Sequence, residues 1–191
     1  MMKSKLFVAA ALLSLSALPA FAEEAHVAPV TEFMQDEVKP WLSDQLVIDA
    51  IKAQNGEHAS LDQAGIDALD QEWRAEVDGA DSELIDAVLD NKLSAFLKEK
   101  QAASDGLITE IFIMDNKGLN VGQSDVTSDY WQGDESKFQK SFGAGADALF
   151  VDEVEKDEST QQLQSQASMT ITDADGTPIG AITVGINLDA L

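Results

Sequence analysis

From Ser82 to Lys100, the residues Leu84, Ile85, Val88, Leu89, Leu93, Phe96 and Leu97 recur at steps of three and four, which places them on one stripe of a helix. Glu83 and Asp86 stand in the first turn and Lys98 and Lys100 in the last, the charge order a helix dipole favours. The pattern predicts one amphipathic helix over 82–100. In "SLDQAGIDALDQEWRAE", Ser60 and Gln63 occupy capping-box positions, and Ile66, Leu69 and Trp73 share a stripe, so a second, shorter helix is expected there. Residues 32–54 also favour helix; Pro40 either kinks it or sits in the first turn of a segment starting there.

After residue 105 the period falls from about 3.6 to 2. "LITEIFIMD" and "LNVGQS" flank a turn at Asp115 to Gly118, and "QLQSQASMTITD" and "TPIGAITVGIN" flank another at Asp173 to Gly176, which predicts two hairpins. Between them lie the aromatic stretch "TSDYWQGDESKFQK", a helix near Glu135 to Phe142, a Gly143-Ala144-Gly145 break and a short strand "ALFVDEV". The order predicts an α+β fold: a helical N-terminal layer over 32–104, then a five-stranded antiparallel sheet over 105–191 with helices on its faces, together one domain over 32–191. Ile182, Val184 and Ile186 alternate with Ala181, Thr183 and Gly185, and Ala167, Met169 and Ile171 alternate with Gln166, Ser168 and Thr170. The sheet is therefore expected to have an apolar face and a small, polar one, the polar face either leaving room for something or facing solvent, which would show the same pattern.

The first 22 residues read as a cleaved signal peptide: basic Lys3 and Lys5, an apolar run from Leu6 to Leu18, and an A-x-A site at Ala20-Phe21-Ala22. The apolar run is short of the roughly 20 residues that span a bilayer, and no later stretch is apolar enough, so the chain is expected to be exported to the periplasm as a soluble protein, not embedded in the membrane. Residues 23–31 are expected to form a flexible leader. The chain has no cysteine, which excludes disulfides and a lipid-modified N-terminal cysteine. Dropping 22 residues and two positive charges from 191 residues and −23 leaves 169 residues carrying −25. Such a charge repels nucleic acid and anionic lipid, so neither is an expected partner.

Catalytic constellations are missing. The two histidines, His26 and His58, fall in the leader and an early loop, no G-x-S-x-G occurs, and "GAG" at 143–145 lacks the Lys-Ser/Thr of a phosphate loop. Without cysteine, and with so few histidines, a usual zinc site has no ligands, and the acids at 125, 129, 134 and 135 do not follow the spacing of a calcium loop. No enzyme, metal or cofactor is expected. The aromatic stretch carries the candidate chemistry instead. Tyr130 and Trp131 offer flat apolar area with polar tips, and Asp129 lies beside them. If Asp134 caps the helix, Lys137 and Lys140 project on one side near its positive end. Two readings of the aromatics stand: walls of a pocket, or a cover over the core. Glu110 is an unexpected carboxylate in an apolar strand, and Gln166, Ser168 and Thr183 lie on the polar face. Arg74, the single arginine, is expected to bridge carboxylates or anchor the helical layer.

The N-terminal helix leading into "ITEIFIMDNKGLNV", the segment "TSDYWQGDESKFQKSF", the strand "LFVDEVEKDEST" and the closing "MTITDADGTPIGAITVGINL" together resemble the Cache domain, a PAS-like extracytoplasmic sensor module. The resemblance spans about residues 32–191. It implies a PAS-like sheet and a small-molecule ligand held between that sheet and the aromatic helix-loop, at Tyr130, Trp131, Asp129, Lys137, Glu110, Gln166, Ser168 and Thr183. Two departures qualify it. The sequence stops at Leu191, shortly after the last strand, where such receptors run on into a membrane helix, so a free-standing module is expected, one that would need a membrane receptor or sensor kinase as partner to pass on a signal. The Arg-x-Trp-Tyr segment of amino-acid-binding members is replaced by Asp129-Tyr130-Trp131-Gln132, so amino-acid binding does not carry over and a small polar or anionic ligand is the expectation.

Overall fold

Three short polar side chains set where the main helices begin. A computed structural model describes residues 25–79, 81–156 and 162–191; the expected signal peptide lies outside these. Asp44, in an extended conformation, accepts from the Leu46 N–H at 2.9 Å and starts α2 (Gln45–Glu57). Asp62, not Ser60, caps α3 (Gln63–Val77), through the Gly65 N–H at 3.0 Å. Asn91 caps α5 (Lys92–Ala102) through the Ser94 N–H at 2.8 Å and donates to the Val121 carbonyl at 2.8 Å. That double role breaks the single helix expected over 82–100 into α4 (Glu83–Leu89) and α5. The apolar stripe continues across the break because Ser94 Oγ ties the halves together, donating to the Val88 carbonyl at 2.6 Å.

The expected leader is also corrected from residue 27 onward. Helix α1 (Val27–Phe33) runs into a π-helical segment (Met34–Val38) and a 3-10 turn (Lys39–Ser43), and Val30, Met34 and Val38 form a fully buried stripe at four-residue spacing. Burial of that stripe orders the segment. Pro40 sits in the first turn of the 3-10 segment, where its missing N–H is not needed.

The sheet contains β1 (Ile108–Met114), β2 (Asn120–Gln123), β3 (Leu149–Val151), β4 (Glu155–Lys156), β5 (Leu163–Thr172) and β6 (Pro178–Asn187). Its order is β2-β1-β6-β5-β3, every pair antiparallel, and the two-residue β4 adds to β5 beside β3. This is the expected five-stranded PAS-like sheet with one further short strand. Gly118 closes the first hairpin with φ 84°, and a Cβ there would come within 2.6 Å of the Gly133 Cα, so the turn and the chain after Trp131 are locked backbone against backbone.

One face of the sheet carries Ile111, Ile113, Ala167, Met169, Ile171, Ile182, Val184 and Ile186 against Val30, Met34, Val38, Val47, Ile51, Leu93 and Leu97 of the helical layer. A second apolar cluster gathers Ile66, Trp73, Ile85 and Val88 from α3 and α4 with Leu119 and Tyr130. A third, small cluster of Phe112, Met114, Ala181 and Phe138 closes the other face of the sheet beneath α6 (Ser136–Gln139). Among the described residues no helix is long and apolar enough to cross a membrane.

Candidate functional site

The polar face of the sheet is organised in rows by strand register. One row runs Gln123, Phe112, Thr183, Ser168, Phe150 across β2, β1, β6, β5 and β3. The adjacent row is Glu110, Gly185, Gln166. On the far side of the first row lie Asn120, Met114, Ala181 and Thr170.

Four expected site residues meet in two of these rows. Glu110 and Gln166 reach toward each other over Gly185, and Gln166 Nε2 donates to Glu110 Oε1 at 2.7 Å. Gly185 is required for this: a Cβ there would come within 2.8 Å of the Glu110 Cγ. The small-residue face therefore makes room first of all for a half-buried carboxylate of the same sheet. Ser168 and Thr183 are fully buried, and their hydroxyls bond to each other at 2.9 Å.

Lys137 brings α6 to this face. Its ammonium lies 5.4 Å from the Phe112 ring centroid, pairs with Glu135 Oε2 at 3.0 Å and donates to Gln132 Oε1 at 3.3 Å. Phe138 and Phe142 stack 5.0 Å apart, with Phe138 in the apolar cluster over Phe112. Lys140 does not join Lys137; its ammonium sits 4.3 Å from the Phe150 ring centroid. The helix has Glu135 rather than Asp134 at its N-cap and no side-chain cap, so the expected capped anion cradle is absent.

Asp129, Tyr130 and Trp131 go elsewhere. Asp70 of α3 accepts from the backbone N–H of both Tyr130 and Trp131, each at 3.0 Å. Tyr130 is 3% exposed and stacks on Trp73 with centroids 5.3 Å apart, and Trp73 Nε1 donates to the Thr127 carbonyl at 2.8 Å. Trp131 Nε1 donates to the Lys117 carbonyl at 2.8 Å. Asp129 accepts from Arg74 at 3.0 Å and from Gln132 Nε2 at 2.8 Å, and Arg74 also holds Asp70 at 2.8 Å. Arg74 is thus the expected bridge between carboxylates. Burial, with the Asp115 and Glu57 carboxylates adding to it, pushes the Tyr130 phenol well above its ordinary 10.0. These three residues form an anchor onto α3, with the Asp129 carboxylate, the Trp131 indole N–H and the Tyr130 and Trp131 backbone N–H groups already engaged.

Sequence reasoning missed Asn120 and Gln123. Both are fully buried, and Asn120 Nδ2 donates to Gln123 Oε1 at 3.0 Å, yet Gln123 Nε2 and Asn120 Oδ1 have no partner. An odd spacing of three would put them on opposite sides of a regular strand, but the register shifts between Ile113 and Met114, so Gln123 faces Phe112 while Asn120 faces Met114. Both therefore join the polar face. Nothing in the residue pattern announces that bulge.

No family model matches the chain, and no curated protein matches it. Solved structures do. The sensor domain of the V. cholerae histidine kinase DctB superposes with a TM-score of 0.50 at 11% identity, over 86% of this chain and 52% of that one. The ligand-binding domain of the Pseudomonas aeruginosa PAO1 amino acid chemoreceptor PctC, in complex with GABA, gives 0.41 at 13% identity, over 80% and 62%. The sensory domain of the Campylobacter jejuni chemoreceptor Tlp3, with isoleucine bound, gives 0.38 at 16% identity, over 78% and 60%. The chain spans about half the length of the DctB structure. At such identities the likeness is one of fold, and the fold is the Cache type that the sequence resembles.

Proposed function

We propose that this chain is an exported, non-catalytic sensor module that binds a small polar or anionic molecule on the polar face of its sheet, beneath α6. The observation that carries the reading is the pair of unpartnered, fully buried amide atoms, Gln123 Nε2 and Asn120 Oδ1, on the face that also bears Glu110, Gln166, Ser168 and Thr183. A buried donor and acceptor left unpaired each cost about 1–3 kcal/mol, so a ligand that satisfies them gains that much over one that does not. Glu110 and Gln166 bond to each other here and can exchange that bond for one to the ligand, and Lys137, paired with Glu135, is the cation at the α6 wall that a ligand could share. The face is closed by Phe138 over Phe112, so binding entails a lift of α6, a single-turn helix between Gly133 and Gly143.

The test is native mass spectrometry of residues 23–191 purified gently from the periplasm, compared with the denatured sample and followed by thermal shift with the compound found. A ligand at about 100 times its dissociation constant adds roughly 2.7 kcal/mol of stability. Gln166→Ala is expected to keep the fold and lose most of that shift. Bare protein that no polar or anionic compound stabilises would overturn the reading in favour of a module that docks on a membrane receptor or kinase without a ligand of its own.

A further inference from the structure

A cavity of about 450 Å³ opens at the free edge of β5. Pairing of β3 with β5 ends at Met169, and the Thr170 N–H makes one further bond to the Ala148 carbonyl at 3.1 Å, so the end of β5 runs on as an edge beside the 3-10 turn and the start of α2. The size is that of small-molecule sites in general. Its apolar lining is Leu42, Ile48 and Met169, and its polar lining includes Thr170, which is 5% exposed and whose Oγ1 has no partner.

The charges decide what fits. Only ten of the twelve cationic side chains lie after residue 22, and two of them, Lys39 and Lys52, line this one cavity of a strongly acidic chain. Lys52 is already neutralised by Asp173 at 3.0 Å. Lys39 is bonded to the neutral Gln35 Oε1 at 3.2 Å and, among the described residues, has no carboxylate partner. The Lys39 ammonium is therefore the one cation of the cavity outside an ion pair, and it can meet an anion directly. Asp147 and Asp173 line the same cavity and balance the two lysines, so a single carboxylate is accommodated only beside Lys39 and a second is repelled.

We propose that this cavity is a second binding site, separate from the one beneath α6, for a small monocarboxylate with an apolar body and one further polar group. The carboxylate faces Lys39, the body lies on Leu42, Ile48 and Met169, and the polar group gives the Thr170 hydroxyl the partner it lacks. Thr170 stands at the end of the row that begins at Asn120, but apart from it this assignment shares no residue with the reading of the sheet face and does not use α6.

The experiment is amide chemical-shift mapping by NMR on the exported chain, with 4-hydroxyphenylacetate as probe and its neutral amide as control. Shifts are expected at residues 39–48, 146–147 and 169–174, with little response to the amide. Lys39→Gln, a change at an exposed side chain, is expected to weaken the carboxylate roughly tenfold, the size of one charge-assisted hydrogen bond. Thr170→Val is expected to erase the advantage of 4-hydroxyphenylacetate over phenylacetate, and Lys137→Gln to change nothing. No shifts in these segments, equal binding of the amide, or shifts confined to Glu110, Gln166, Ser168 and Thr183 would each overturn the proposal, the last while favouring the site beneath α6.

Discussion

The stretch from Thr127 to Lys140 is one run of sequence with two fates. Its first half, Asp129 to Trp131, is clamped to α3: Asp70 holds two backbone N–H groups, Arg74 holds Asp129, and Trp73 stacks on Tyr130 while bonding the Thr127 carbonyl. Its second half, Lys137 to Phe142, lies over the sheet through Phe138 and Phe142, with Lys137 over Phe112 and Lys140 over Phe150, and has no hydrogen bond to α3 among the described residues. The first half is held mostly by polar groups, and it also meets the Asn120–Gln123 pair through Thr127 and the Asp129 carbonyl, whereas the second is held by aromatic packing and two lysines over rings. An aromatic pair ahead of a short helix is thus an anchor on one element that sets where the next turn covers another.

The contrast predicts opposite responses to substitution. The largest effect on stability is expected on the anchor, where Trp73→Ala removes a fully buried ring and a hydrogen bond and should cost about 3–5 kcal/mol in urea denaturation. A loss under about 1 kcal/mol would show that the clamp on α3 is not what holds the stretch.

Next comes an alkaline limit. The folded-state pKa of Tyr130 is raised, so its contribution is fully present below its ordinary 10.0 and is lost as pH rises above it. Stability should then fall by about 1.4 kcal/mol per pH unit while the buried phenol stays protonated. Tyr130 is the only tyrosine, so the tyrosinate absorbance band reports this group alone, and Tyr130→Phe should abolish the slope due to it. Ionisation at the ordinary value would place the ring in solvent and break the comparison.

The smallest effect on stability is expected on the sheet face. Replacing both hydroxyl partners together, Ser168→Ala with Thr183→Val, removes a buried bond without stranding either end and should change stability by less than about 1 kcal/mol. Ligand-induced thermal stabilisation should nonetheless drop, because the row beneath α6 becomes apolar. Unchanged ligand response in this variant would move the site off that row.

Much of the fold was legible because its signals are local. The change from a period near 3.6 to one of 2, the D-x-x-G turns and the two-faced strands each depend on residues close in sequence, and the helices, the hairpins and the buried face follow them. Half of the site was legible for the same reason: Gln166, Ser168 and Thr183 announce themselves by alternation, and Glu110 by being a carboxylate in an apolar strand. The aromatic pair misled because a ring suited to a pocket wall is equally suited to stacking on another ring. The choice between the two was made by Trp73 and Asp70, sixty residues or so away along the chain. Asn120 and Gln123 were invisible because a bulge, not the pattern, brings them to one face.

The sequence by itself determined the order of elements, the apolar face that the helical layer covers, and the acidity that turns away polyanions, since periodicity, turn chemistry and charge are properties of neighbouring residues and of sums. Only the tertiary structure decided which polar groups were spent on one another and which were left open. Tyr130 and Asp129 are engaged by α3, Glu110 by Gln166 across Gly185, and Gln123 Nε2 by nothing. The physical reason is that a hydrogen bond or a stacked ring needs its partner within a few ångströms, and which partner arrives there is set by register and packing between segments far apart in the chain.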